Sequence, residues 1–162
     1  MALAHCGDKA WVYRLPELLE SHPEDKAYCS RFNGGIAYLK DPAWVPVFVR
    51  LLQVKNPDTR KAAIRALRFS PSAKGASSLA AALDEPDLRV RYDAIMGLAA
   101  ALPRRTPSWA WAYDLFLEDP ETLTKKWKEF WQEEKAKCPT VEEVLKEFES
   151  ERAKVLAERV EP

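Results

Sequence analysis

The feature that most constrains this 162-residue chain is that it repeats itself. Leu3 to Val12 lines up with Ile36 to Val45 at an offset of 33, with Asp8 falling on Asp41 and Trp11 on Trp44. The same offset carries Leu18-Leu19 onto Leu51-Leu52, and a further 31 residues reaches Ala82-Leu83. That second step also takes Thr59-Arg60-Lys61-Ala62-Ala63-Ile64 onto Val90-Arg91-Tyr92-Asp93-Ala94-Ile95, and Leu67 onto Leu98. Trp109 lies 65 residues after Trp44, which is two periods. A unit of about 30 to 33 residues, recurring three to four times, has too little apolar surface to fold alone and must stack on its neighbours.

Inside each unit the apolar spacing is helical. Val47, Phe48, Leu51 and Leu52 fall at i, i+1, i+4 and i+5, as do Ala63, Ile64 and Leu67 in part, and no alternating strand pattern occurs. Asn56-Pro57-Asp58 and Glu85-Pro86-Asp87 supply turn and N-cap chemistry ahead of a second helix. Each unit is therefore expected to be a helical hairpin. Helices are expected over about 1–6, 10–20, 25–39, 42–54, 57–69, 73–84, 87–102, 108–118, 120–137 and 140–160. Gly34-Gly35 weakens the third of these and marks a kink or break.

Composition excludes several classes. Apolar residues make up 47% and charged ones 31%, which is globular rather than disordered. Twenty-five basic residues balance 25 acidic ones, which argues against a whole-surface polyanion binder. Apolar runs such as Ala43 to Val49 are far short of the ~20 residues of a membrane span. Met1-Ala-Leu-Ala-His5 has no basic leader, so secretion is unsupported and a cytoplasmic protein is expected. Three scattered cysteines, Cys6, Cys29 and Cys138, suit a reducing compartment and no disulfide scaffold. His5 and His22 have no second ligand at metal spacing, and no phosphate-binding or nucleophile motif occurs. No cofactor, metal or catalytic residue is expected. Asp93 falls mid-helix, where a buried carboxylate is costly; an arginine such as Arg60, Arg89 or Arg91 is expected to pair with it.

The second helices of the units resemble the HEAT-repeat family. Asp58-Thr-Arg60-Lys-Ala-Ala-Ile-Arg-Ala-Leu67 and Asp87-Leu-Arg-Val90-Arg91-Tyr-Asp-Ala94-Ile-Met-Gly97-Leu98 are similar to its Asp…Val-Arg-x-x-Ala-x-x-Ala-Leu pattern, with Thr59 and Asp93 as departures. Pro16 and Pro46 are similar to the prolines of its bent first helices. The likeness is good over 41–102, fair over 1–40 and fades beyond 118. It implies an all-α, right-handed α-α superhelix of three to four hairpins over residues 1–118. A C-terminal capping helix and an amphipathic terminal helix follow in 119–162. It also implies a non-enzymatic interaction scaffold whose second helices line the concave side.

On that side Lys61, Arg65 and Arg68 share a face at i, i+4 and i+7, and the 31-residue shift carries them onto Tyr92, Met96 and Ala99. The expected surface runs from basic to aromatic and flexible-apolar, with Arg89, Arg104 and Arg105 at its edges, and suits an acidic, partly apolar protein segment. A merely solvated face is the plainer alternative. Two other readings come from resemblance. HEAT-like DNA glycosylases would use a basic centre with Trp109, Trp111, Tyr113 and Asp114, although nucleic acid is the weaker expectation. HEAT-like bilin lyase subunits would chaperone a tetrapyrrole.

The first residues match the end of a second helix, so a fragment, a truncated product or an uncapped end is expected. Trp11, Val12 and Leu15 would then leave a sticky face and favour self-association. Net charge changes from +6 over residues 50–105 to −5 over 106–162. Trp127, Phe130 and Trp131 form an i, i+3, i+4 cluster that either closes the last apolar face or meets a partner. Thr140-Val-Glu-Glu143 is a capping box opening a helix with Val141, Val144, Leu145, Phe148, Val155, Leu156 and Val160 on one face. That helix is expected to fold back onto the last unit or to reach a second subunit.

Overall fold

The computed structural model of the chain describes residues 9–36, 38–102 and 113–158. Local chemistry starts most of the helices. α1 (Lys9–Glu20) carries the buried Pro16 in its interior, and α2 (Lys26–Ile36) follows it. A 3-10 turn over Pro42–Trp44, capped by Asp41 accepting from the Ala43 N–H at 2.9 Å, leads into α3 (Val45–Leu51). Pro46 stands in the first turn of α3, where a missing N–H costs nothing.

α4 (Pro57–Phe69) begins at Asn56, whose side chain accepts from the Thr59 N–H, with Pro57 fixing the first turn. α5 (Ala73–Ala81) is capped by Ser72 and tightens into 3-10 geometry over Ala82–Asp84. α6 (Leu88–Ala101) is capped by Asp87, which accepts from the Arg89 and Val90 N–H groups. α7 (Tyr113–Glu118) precedes α8 (Pro120–Glu134), which Asp119 caps. α9 (Val141–Ala157) opens with the full Thr140–Glu143 capping box that the spacing predicts.

These helices stack in layers, and among the described residues there is no strand. First helices α1, α3 and α5 pack side by side, as do second helices α2, α4, α6 and α8. One continuous core lies between the layers, with Phe48, Leu51, Leu67, Leu79 and Leu98 fully buried. The chain is an all-α solenoid of helical hairpins, as the periodicity predicts. α6 sits so close to its neighbours that Gly97 is required. A Cβ there would meet Leu79 Cδ1 at 2.8 Å and the Arg68 backbone at 3.2 Å.

Three expectations change. The helix expected to run to residue 39 stops at Ile36, just after Gly34-Gly35; the Leu39 N–H turns back onto the Ile36 carbonyl and the Ser70 hydroxyl donates to the Leu39 carbonyl. Val12 and Leu15 do not form a sticky face, because both are fully buried; Trp11 is half-buried against Phe32. The last helix does not stop at the last unit. α9 runs back over the first-helix layer and touches α1, α3 and α5. Phe148 and Val144 are buried there, Lys74 meets Glu147 at 2.5 Å, and Arg152 pairs with Glu17 of α1. The helix expected over 1–6 lies outside the described residues, as does the first part of that over 108–118.

Trp127 of α8 is fully buried, with Phe130 edge-on at 5.5 Å and Trp131 half-buried beside it, so the cluster packs on the core rather than standing free. No described helix is long and apolar enough to cross a membrane.

Candidate functional site

The second-helix layer carries an open groove of about 510 Å³ spanning α2, α4 and α6. Its walls follow from the repeat. α4 presents Lys61, Arg65 and Phe69 at successive turns, because i+4 steps keep side chains on one side of a helix. The stretch after the early end of α2 adds Tyr38 and Lys40, the α6 cap adds Asp87, and α6 adds Arg89 and Asp93. Four cations therefore face two carboxylates, and both carboxylates are already engaged.

Asp87 receives Lys61 Nζ at 2.8 Å while capping α6. The hydrogen bond from Lys61, and then the backbone N–H groups, hold the Asp87 carboxyl below its ordinary range; the same contact raises the Lys61 ammonium. Asp93 is buried at the groove floor, with Arg68 Nη1 at 2.6 Å and Arg89 Nε at 3.8 Å. A buried carboxylate needs such compensation. Of the expected partners only Arg89 is there. Arg60 instead donates to the Val54 and Lys55 carbonyls, closing the α3–α4 turn, and Arg91 ties α6 to Glu121 of α8 at 2.7 Å.

Arg68 is thus a structural cation rather than an open one. Its guanidinium lies 5.0 Å from the Phe69 ring and 4.8 Å from Tyr92, with Lys40 5.4 Å from Phe69 and Arg89 5.8 Å from Tyr92. Cations and rings alternate across the face as Lys40, Phe69, Arg68, Tyr92 and Arg89. Such contacts fix the long side chains and keep their charge at the surface. Tyr92 also packs on Phe116 at 5.4 Å, and it and Met96 are half-buried rather than fully exposed. Arg104, Arg105, Trp109 and Trp111 lie outside the described residues, and Asp114 is exposed at the start of α7.

The exposed rings of the groove are Tyr38, 71% exposed, and Phe69, 37% exposed. Sequence reasoning missed both. Phe69 was legible as the next step of the Lys61–Arg65 ridge, whereas Tyr38 depends on where α2 ends. Arg65 is exposed and has no carboxylate at ion-pair distance among the described residues.

The remaining polar chemistry is structural. Cys29 is buried; burial chiefly raises its thiol, and Sγ donates to the His22 carbonyl at 3.4 Å. Cys6 lies outside the described residues. Among the described residues no three His, Cys, Asp or Glu side chains gather as a metal-holding group.

Residues 30–99, from within α2 to near the end of α6, match the family model for HEAT repeats. This stretch, a little under half of the chain, is a HEAT-repeat segment of an all-α solenoid. HEAT repeats are generally protein-interaction scaffolds and generally non-enzymatic. No curated protein and no solved structure matches the chain.

Proposed function

We propose that the chain is a non-enzymatic adaptor that holds a segment of a partner protein in the groove between α2, α4 and α6. The observation that carries this reading is the pairing of open cations with exposed rings in one groove. Arg65 and Lys40 stand beside Phe69 and Tyr38, while the two groove carboxylates are occupied by Lys61 and Arg68. The site therefore attracts negative charge and offers apolar surface at the same place.

A solenoid suits this task because each unit adds contact area without a new core. The first-helix side is already covered by α9, and among the described residues the groove lies open on the second-helix side. Trp127, Phe130 and Trp131 act as a cap for the last unit in this reading, and residues 119–162 as the closing part of the fold. Display of a random peptide library on the full chain tests it. Enriched sequences should combine acidic residues with a bulky apolar one, and enrichment of basic or purely polar sequences would contradict it.

A further inference from the structure

The groove and α9 belong to the same three units, on opposite sides of the solenoid. α2, α4 and α6 wall the groove, and their first helices α1, α3 and α5 are the ones that α9 touches. α3 packs between α1 and α5, so a helix that meets both of them crosses it. Seventeen residues at ~1.5 Å each make α9 about 25 Å long, and three helices side by side at ~8–10 Å span roughly 16–20 Å between their outer axes. One helix therefore reaches across all three.

α9 is tied to both outer helices. At its start the Ser77 hydroxyl of α5 donates to the Pro139 carbonyl at 2.6 Å, and further along Lys74 of α5 meets Glu147 at 2.5 Å. Towards its end Arg152, 25% exposed, pairs with Glu17 of α1. Val144 and Phe148 are buried along the way, with the Phe148 ring against Tyr13 of α1. The Glu151 carboxyl is held below its ordinary range by Lys154 first, and then by Lys9 of α1 and Lys74 of α5. The groove side is built differently. α2 and α4 meet through the Thr59 hydroxyl, which donates to Asn33 Oδ1 at 3.0 Å, and α4 and α6 meet through the Lys61–Asp87 and Arg68–Asp93 pairs. Each of these ties joins one helix to the next. Such ties fix the joints, whereas curvature is the rotation from unit to unit, which a restraint across several units on the opposite side limits.

We infer that α9 is a brace that holds α1 and α5 together and so keeps the groove open between α2 and α6, with Arg152 as a positioning residue. If the first helices spread, the units pivot about their shared core and the second helices close on one another. A groove held open beforehand spares a partner that ordering cost; this bearing on binding rests on the groove being the partner site, whereas the effect on shape does not.

The brace is tested by double electron–electron resonance on the full chain, with genetically encoded spin labels replacing Ser30 of α2 and Leu88 of α6, both exposed. Arg152→Glu places a carboxylate beside Glu17 and Glu149 and cuts the α1 end of the brace. It should broaden the distribution of label distances towards shorter values while helical circular dichroism is retained. Adding Glu17→Arg should restore the wild-type distribution, which a merely local loss at residue 152 would not allow. If Arg152→Glu loses helicity, Arg152→Gln removes the tie without repulsion and is judged on the distance shift alone. An unchanged distribution, a shift to longer distances, or no restoration by Glu17→Arg would each overturn the inference. For a peptide taken from the display selection, Arg152→Glu should weaken binding at least threefold, and undiminished affinity would overturn the claim that the brace prepares the groove. If the selection yields no acidic, partly apolar peptide, the partner-site reading fails and the distances still decide the brace.

Discussion

The Tyr13 ring of α1 lies 5.6 Å from the Phe148 ring of α9, joining the first described helix to the last. Phe148 is 2% exposed, Tyr13 also meets Trp44 edge-on at 6.1 Å, and Arg152 of α9 pairs with Glu17 of α1. Repeat proteins usually hold together only through nearest neighbours. Here α9 touches the first helices of three successive units, so it couples them to one another.

Phe148→Ala should therefore destabilise the whole solenoid, by about 3–5 kcal/mol, because it opens a cavity shared by α1, α3 and α9. Urea unfolding followed by circular dichroism checks this. The midpoint should fall with one transition retained; a separate early step confined to α9 would mean that the helix is an independent appendage.

Alkaline pH should weaken the same contact. Burial, and then the nearby Glu151 and Glu147, raise the Tyr13 hydroxyl above its usual value of 10.0. A folded pKa above the unfolded one means that the neutral ring's stabilisation is complete below pH 10 and is lost as pH rises through the folded value. Between pH 9 and 12 the urea midpoint of the wild type should fall more steeply than that of Tyr13→Phe. Parallel curves would show that Tyr13 does not titrate against the fold.

Arg68 and Asp93 form the buried ion pair of the second-helix layer. Removing Arg68 strands a carboxylate that, among the described residues, is left with Arg89, 66% exposed and 3.8 Å away. Arg68→Met should cost about 2–4 kcal/mol, and adding Asp93→Leu should restore most of it. Chemical denaturation of the two variants reads both values.

Gly97→Ala should destabilise by about 1–3 kcal/mol although alanine favours helix by about 1 kcal/mol. The new methyl would sit against Leu79 and the Arg68 backbone, and backbone cannot swing aside as a side-chain end can. A thermal melt of the variant checks the sign; a rise in melting temperature would show that α5 and α6 separate easily.

Much of this architecture was legible because stacking imposes one pattern repeatedly. The 31-residue shift carries Ile64 and Leu67 onto Ile95 and Leu98, and all four are buried in the same layer. Caps were legible where their chemistry is local, as at Asn56, Asp87 and Thr140. The site was less so. Lys61 and Arg65 share a face as their spacing predicts, but Arg68, three residues on, turns to Asp93 of the next unit. Such inter-unit pairing depends on the distance between α4 and α6, which no single helix encodes. The route of α9 was hidden for the same reason: an apolar stripe states that a helix needs a partner surface, not which surface.

In the proposed function, acidic, partly apolar segments bind between α2, α4 and α6. Its most direct test is the affinity of a display-selected peptide for the wild type and for the double variant Lys40→Glu, Arg65→Glu, measured by isothermal titration calorimetry. Both side chains are exposed, so the variant should keep its helical circular dichroism while binding falls at least tenfold. Undiminished affinity in a fully folded double variant would contradict the claim.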